Sequence, residues 1–246
     1  VRKDVKVTVI VYDQPKAEVF EENGIFFHFI SNQNYRFAKW FFYRKYIQQY
    51  VNSVVKKENI DLIEAPDWTG ITAFMRFNTP LVIRFHGSDT YFCHIEKRAQ
   101  KFKNRLFETL AVRNAKGFIA PTKYAGEVSA QLFGLQKEQV KTIHYGLDLT
   151  LFNNEHPEIF EKGLILYIGT IIRKKGVFEL PVIFNNVKAQ FPEAKLVLIG
   201  GDASDVSTGS NSTWELVKNT FNKEDLTDVT YLGKIPYEMD MQDLMP

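Results

Sequence analysis

The chain reads as an α/β protein built on parallel sheets, and three features of its sequence lead there. Short runs rich in β-branched and apolar residues recur, longer segments of helical periodicity separate them, and several short runs are continuously apolar rather than alternating. A strand that is apolar on both sides needs cover on both faces, which crossover helices provide in a parallel sheet.

In chain order, VKVTVIVY (5–12) and IFFHFI (25–30) open as strands, and an aromatic, cationic segment (36–58) follows as a helix. There Phe37, Trp40 and Phe41 share one face at i, i+3 and i+4, with Arg44 nearby. Such a face suits an amphipathic helix packed on the sheet with its cations in water, the commoner arrangement. It also suits a helix lying on a membrane surface. DLIEA (61–65) and PLVIRFH (80–86) are the next strands, then a helix over 94–116, GFIAP (117–121), a helix over 122–133 and VKTIHY (140–145). A second strand and helix series runs through LILYIG (164–169), 177–191, KLVLIG (195–200), 212–224 and VTYLGK (229–234).

Between the two series, GLDLTLFNNEHPEIFEKG (146–163) is polar and broken by Gly and Pro. It places one domain at 1–150 and a second at 151–246, which suits a chain of this length. We find no internal repeat or low-complexity tract.

Composition bounds the function. Of 246 residues, 45% are hydrophobic and 24% charged, as in ordinary globular proteins. The 31 Lys and Arg nearly cancel the 29 Asp and Glu, so no global field favours nucleic acid and an anion site must be local. A single cysteine, Cys93, excludes an internal disulfide and fits a reducing compartment. The opening VRKDVKVTVIVYD lacks the pattern of a signal peptide, and no apolar stretch approaches the roughly 18–20 residues of a membrane span. These features point to the cytoplasm, with attachment to the inner face of a membrane compatible with them.

Five stretches carry candidate chemistry. In GTIIRKKG (169–176), Arg173, Lys174 and Lys175 sit between two glycines where a strand gives way to a helix. That is the carboxyl edge of a parallel sheet, where ligands bind, and a helix start with nearby cations favours an anion such as a diphosphate. The spacing is neither a Walker A loop nor a G-x-G-x-x-G fingerprint; an ordinary solvated basic turn has the same look. In PLVIRFHGSD (80–89), His86 ends a strand and Gly87, Ser88 and Asp89 turn away from it. The imidazole would face the same crevice, and Asp89 suits either hydroxyls or the cap of the next helix. APDWTG (65–70) supplies Asp67 and Trp68, a carboxylate and a ring suited to a sugar, or else a cap and a packing residue. HYGLD (144–148) and IGGDASD (199–205) both end strands with glycine, as a crevice lining or a simple reversal would.

No Cys/His cluster has metal-ligand spacing and no G-x-S-x-G elbow appears. There is no D-x-D pair to hold a metal on a diphosphate, the nearest relative being Glu238-Met239-Asp240. Neither metal nor cofactor is therefore expected.

Together these residues resemble the retaining GT-B-fold glycosyltransferases of family 4. The resemblance lies in HGSD (86–89), PTKY (121–124), YGLD (145–148) and GTIIRKKG (169–176), in that order, and extends through LVLIGGD (196–202) and VTYLGKIP (229–236). It implies two Rossmann-like domains whose parallel sheets face a central cleft, a nucleotide-sugar donor as substrate, and a glycan or glycolipid acceptor. By the same resemblance His86 lies near the transferred sugar, and Gly169, Thr170, Arg173, Lys174 and Lys175 form the donor diphosphate site. Asp67, Trp68, Ser88 and Asp89 fall on the acceptor or sugar side, and Tyr145, Gly146, Gly201 and Asp202 at the hinge and nucleotide side. Thr170 stands where the family has arginine, leaving Arg173 as the candidate to take that role. The family's first strand and glycine loop would precede residue 1 and its paired glutamates would follow Pro246, so both domains are expected to be incomplete. A non-catalytic subunit of this fold and a nucleotide-sugar epimerase are the alternatives.

Overall fold

The structure, a computed structural model, describes residues 5–149, 153 and 156–235. Internal contacts divide the chain into two units, Val1–Gly146 and Leu147–Pro246.

The first unit opens with β1 (Val7–Gln14), β2 (Glu18–Glu22) and β3 (Ile25–Ser31), ordered β1-β3-β2 with β1 parallel and β2 antiparallel to β3. Strand β2 was not foreseen, because EVFEE is mostly charged; it survives as a solvated edge strand. Its signal in the sequence is Asn23-Gly24, a two-residue hairpin turn with both residues at positive φ. Phe20 then stacks on Phe27 of β3 at 5.2 Å between centroids.

Helix α1 (Lys39–Glu58) follows and buries Ile47, Val51 and Val54 in its second half. Four parallel strands come next in sequential order: β4 (Ile63–Pro66), β5 (Leu81–Arg84), β6 (Gly117–Ala120) and β7 (Val140–Thr142). The helix expected over 94–116 is two helices, α2 (Asp89–Ile95) and α3 (Phe102–Arg113). Lys97, in the left-handed region, ends the first of them, and the true start lies at Ser88, whose hydroxyl accepts from the Tyr91 amide. Thr122 caps α4 (Lys123–Phe133) in the same way, and Gly134 closes it. The core under this sheet gathers Leu81, Ile83, Phe85, Val112, Phe118 and Ala120. Strands β1 and β4 end their respective sheets, and an apolar cavity of about 750 Å³ runs along both, lined also by Ile47, Val51 and Met75.

The second unit contains β8 (Leu164–Ile168), β9 (Lys195–Ile199) and β10 (Val229–Tyr231), parallel and ordered β10-β9-β8, with helices α5 (Leu180–Gln190) and α6 (Thr213–Lys218). Its core is Ile171, Val177, Phe184, Leu196, Leu198 and Val217. Each large side chain buried there contributes about 1.5–3 kcal/mol. The expected strand VTYLGK is shorter, ending at Tyr231, and the closing YEMDMQDLMP lies outside the described residues from position 236 on.

Past the ends of β8 and β9 the two segments stay joined. Gly169 donates its amide to the Ile199 carbonyl (2.8 Å) and Ile171 donates to the Gly201 carbonyl (2.9 Å). Gly200, at φ 144°, lies so close that a Cβ there would sit 2.0 Å from the Gly169 carbonyl oxygen, whereas a Cβ at Gly201 would meet open space. We therefore expect Gly200→Ala to destabilise the second unit by about 3 kcal/mol or more, as backbone strain and steric overlap combine. Gly201→Ala should stay within about 1 kcal/mol. Urea denaturation of the two variants checks the contrast.

Candidate functional site

In the first unit, the carboxyl ends of β4 and β5 bring Asp67, Trp68, His86, Ser88 and Asp89 into one turn region. Asp67 follows β4 directly and is only 1% exposed. Its carboxylate accepts the backbone amides of His86 (3.0 Å) and Gly87 (3.4 Å), so it braces the turn that carries the histidine. Burial pushes this carboxyl up to about 6, against the opposing pull of those amides, and the nearby Glu108 charge adds to the rise.

A second buried carboxylate works from the other side. Glu108 of α3 is fully buried and accepts from the Asp89 amide (2.9 Å), the Thr90 amide (3.0 Å) and the Thr90 hydroxyl (2.5 Å). The amides of residues 86, 87, 89 and 90 thus rest on two acids. Ser88 is buried as the cap of α2. Asp89 accepts from Arg98 (2.9 Å) and Asn104 (3.0 Å). Burial raises its carboxyl, but these hydrogen bonds and that of Cys93 outweigh it and hold the group below the usual carboxylate range.

The Trp68–Gly70 turn is wedged between two helices. A Cβ on Gly70 would lie 2.3 Å from the Phe107 backbone carbon of α3. From α1, Arg44 donates to the Thr69 carbonyl (3.2 Å) and the Gly70 carbonyl (3.4 Å). Trp68 itself is 65% exposed.

His86 is exposed, and Tyr145, just past β7, stacks on it with centroids 5.9 Å apart. The Tyr145 hydroxyl lies 2.5 Å from His86 Nδ1. Partial burial, then the neighbouring Arg84 charge, lower the imidazole pKa, with Glu64 opposing. Arg84 is itself fixed by a two-pronged pair with Glu64, at 2.6 and 3.1 Å. With the tyrosine O–H donating to Nδ1, the neutral ring would carry its proton on Nε2 and donate from there. Gly146 follows Tyr145, exposed, at the end of the unit.

In the second unit the β8–β9 junction brings Gly169 and Thr170 against Gly201 and Asp202. Arg173, Lys174 and Lys175 form a 3-10 turn, and α5 begins only at Leu180, three residues later than the expected start at 177. Gly176 closes that turn by donating to the Arg173 carbonyl (3.0 Å). The Thr170 carbonyl accepts from the Tyr167 hydroxyl (3.2 Å). Lys175 folds back toward Gly169, its Nζ being 3.4 Å from where a Cβ would stand. Arg173 makes a two-pronged pair with Asp205 (2.9 and 2.8 Å) and lies 4.0 Å over the Phe178 ring. Asp205 is 3% exposed, and the Arg173 hydrogen bond holds its carboxyl far below the usual range despite burial. Asp202 accepts the amides of Thr213 and Trp214, both at 3.0 Å, at the start of α6.

Sequence reasoning missed Glu108, Asp205 and Gly200. Glu108 stands inside a helical run with nothing local to mark it. The acids of GGDASD and the paired glycines were visible, but which of each pair turns inward is set by contacts remote in sequence.

Two measurements test this geometry. Because the Asp67 carboxyl is raised, the folded chain holds a proton between about pH 4 and pH 6 that the unfolded chain has released. Its contribution to stability therefore falls as pH rises through that window, by about 3 kcal/mol in all, and is level above it. Asp67→Asn should remove that slope in urea titrations, while a slope equal to wild type would contradict the assignment. Arg173→Ala strips a buried carboxylate of its partner. It should cost about 2–3 kcal/mol by thermal unfolding, less than a fully buried pair because the guanidinium is half exposed.

The sequence profile of Glycosyltransferase Family 4 matches residues 1–151. No curated protein sequence matches the chain. Among solved structures, HepE from Anabaena, in complex with UDP and glucose, aligns with a TM-score of 0.54 at 18% identity; the alignment covers 85% of this chain and 56% of HepE. A glycosyltransferase from Rickettsia africae ESF-5 aligns with a TM-score of 0.53 at 15% identity, covering 84% of this chain and 55% of its own. OtsA aligns with a TM-score of 0.61 at 10% identity, covering 94% of this chain and 68% of OtsA. The chain thus spans a little over half the length of the first two. At these identities the likeness is one of fold, and the fold is GT-B. With the profile covering more than half of the chain and the fold agreeing with it, the protein belongs to glycosyltransferase family 4.

Proposed function

We propose that the protein transfers a sugar from a nucleotide-sugar donor to an acceptor hydroxyl with retention of configuration, in polysaccharide or glycoconjugate biosynthesis. The observation that carries this reading is the basic 3-10 turn of Arg173, Lys174 and Lys175, held at the carboxyl edge of β8 beside Gly201 and Asp202. HepE was crystallised with UDP and with UDP-glucose, which makes UDP the first nucleotide to test here. In this reading Lys175 contacts the donor diphosphate, with protein cations rather than a metal carrying the charge of the leaving group. Arg173 holds the turn through Asp205 and adds its field. His86, neutral and oriented by Tyr145, offers its Nε2 proton to a hydroxyl of the transferred sugar. Retention rests on the resemblance of HGSD, YGLD and the basic loop to the retaining members of the family. A glycolipid acceptor would bring the protein to the cytoplasmic face of a membrane, with Asp67, Trp68, Ser88 and Asp89 on the acceptor side.

In the transition state the bond from the anomeric carbon to the diphosphate oxygen stretches, leaving positive charge on the sugar and negative charge on the diphosphate. A preorganised cation aimed at that oxygen stabilises the separation; removing one donor of this kind costs about 2.7–4 kcal/mol. Lys175→Ala in the full-length enzyme should therefore lower turnover at least tenfold, measured as transfer from a nucleotide-sugar. A rate near wild type would refute the role. Calorimetric titration with UDP should show weakened binding for both Lys175→Ala and Arg173→Ala.

A second reading, a non-catalytic sugar-nucleotide-binding subunit, is favoured by one observation. Thr170 stands where the family carries arginine, and Arg173 is engaged by Asp205. Nucleotide binding without donor hydrolysis or transfer by the complete gene product would establish it.

A further inference from the structure

We infer that the first unit carries a docking surface for an anionic lipid bilayer, built where the amino ends of α1 and α3 meet. Helix α1 changes character along its length. Its second half is seated on the sheet through Ile47, Val51 and Val54, but at its start Trp40 is partly exposed, and Phe37 just before it is 73% exposed. At the start of α3, Phe102 is 80% exposed and Leu106 is exposed as well. The two ends touch: Trp40 packs against Phe107 with centroids 5.0 Å apart, and the Lys103 ammonium lies 5.7 Å from the Trp40 ring and 5.5 Å from Phe107. Large apolar tips standing together in water, rimmed by polar groups, mark an interaction surface rather than the scatter of single residues that any protein shows.

Charge selects the partner. No Asp or Glu occurs from residue 23 to 57, a span with six Lys and Arg, nor from 97 to 107, a span with five. Arg98 and Arg105 are occupied within the protein, while Arg36, Lys39, Lys101 and Lys103 are exposed around the aromatic tips.

The helix ends themselves add to this field. Helices commonly place acids in their first turn, where the positive end of the dipole lies. Neither α1 nor α3 has one, neither has a side-chain cap, and both start beside lysine. Two positive helix ends thus meet beside exposed aromatic residues, with the Arg36 and Lys103 cations over Phe37 and Trp40 and Lys39 and Lys101 exposed at the helix starts. The combination costs the isolated fold stability and suits a surface of anionic headgroups over hydrocarbon, where aromatic rings insert and Lys and Arg stay at the headgroup level.

The patch adjoins the candidate acceptor side. Arg44 of α1 and Phe107 of α3 grip the turn that presents Trp68. Docking would hold that turn at the bilayer, where the sugar of a lipid-linked acceptor is presented. That last consequence rests on the proposed transferase reading; the docking itself does not.

Co-sedimentation of the whole chain with vesicles tests it. Vesicles of phosphatidylcholine containing phosphatidylglycerol should bind the protein, with affinity falling as salt rises, and vesicles of phosphatidylcholine alone should bind it poorly. Reversing Arg36, Lys39, Lys101 and Lys103 to Glu should weaken binding at least about tenfold. Phe37→Ser with Phe102→Ser should weaken it also at low salt, where attraction between charges is strongest. Both residues are exposed, so unchanged circular dichroism and melting temperature serve as the check on folding. Failure of the wild type to bind anionic vesicles, or binding indifferent to either set of changes, overturns the proposal. So does a dimer in solution that Phe37→Ser and Phe102→Ser dissolve, since the patch would then belong to a second copy. UDP titration of the same preparations reads the donor site separately, so loss of vesicle binding with nucleotide binding intact refutes docking alone.

Discussion

Two buried carboxylates, Asp67 and Glu108, hold the backbone of residues 86–90 in place, and the shape of the first unit's candidate site depends on them. A strand that ends at the edge of a parallel sheet releases amides that must find acceptors. Here the acceptors are two acids, one just past β4 and one on α3, with neither left to solvent. An ionised carboxylate holds amides more tightly than a carbonyl does, at the cost of desolvation, and Asp67 shows that cost directly in its raised pKa. What is gained is a fixed turn on which an exposed histidine can be aimed by Tyr145.

The second unit repeats the device with different residues. Asp202 takes the first amides of α6, and Asp205 takes the Arg173 guanidinium together with the amide and hydroxyl of Thr208. The carbonyls of Gly200 and Gly201 are in turn occupied by Tyr231 and Ile171. The acids near each strand edge therefore spend most of their lone pairs on amides and side chains of the chain itself. What remains outward on each unit is the aromatic, imidazole or ammonium group: Trp68 and His86 on one, Lys175 on the other. A surface that binds hydroxyls and phosphates through such groups needs them to be rigid, because every rotamer lost on binding subtracts from affinity.

Much of the fold was legible because it is a matter of local pattern. Runs such as LVIRF and KLVLI are largely apolar, and each became a parallel strand with no exposed residue but Lys195. The helices 123–133 and 180–190 lie within or close to their expected spans, since Thr122 caps the first and Pro181 suits the first turn of the second. What local pattern could not supply was the hairpin strand β2, whose residues are charged and whose partner, not its composition, makes it a strand. Nor could it divide 94–116 into two helices, since the break at Lys97 has no glycine or proline to announce it.

The candidate site divides along the same line. Sequence by itself determined which residue types gather at the strand ends, because a short apolar strand followed by Gly, His, Asp or Lys is written contiguously in the chain. Only the tertiary structure decided which of those groups turn inward. Asp67 serves amides 19 and 20 residues away and Asp205 serves an arginine 32 residues away. Glu108 stands in a helix whose periodicity marks it only as one more charged residue. Whether an acid is buried depends on what meets it across the fold, and the free energy of burying a charge is recovered only by partners that the chain's local order does not specify.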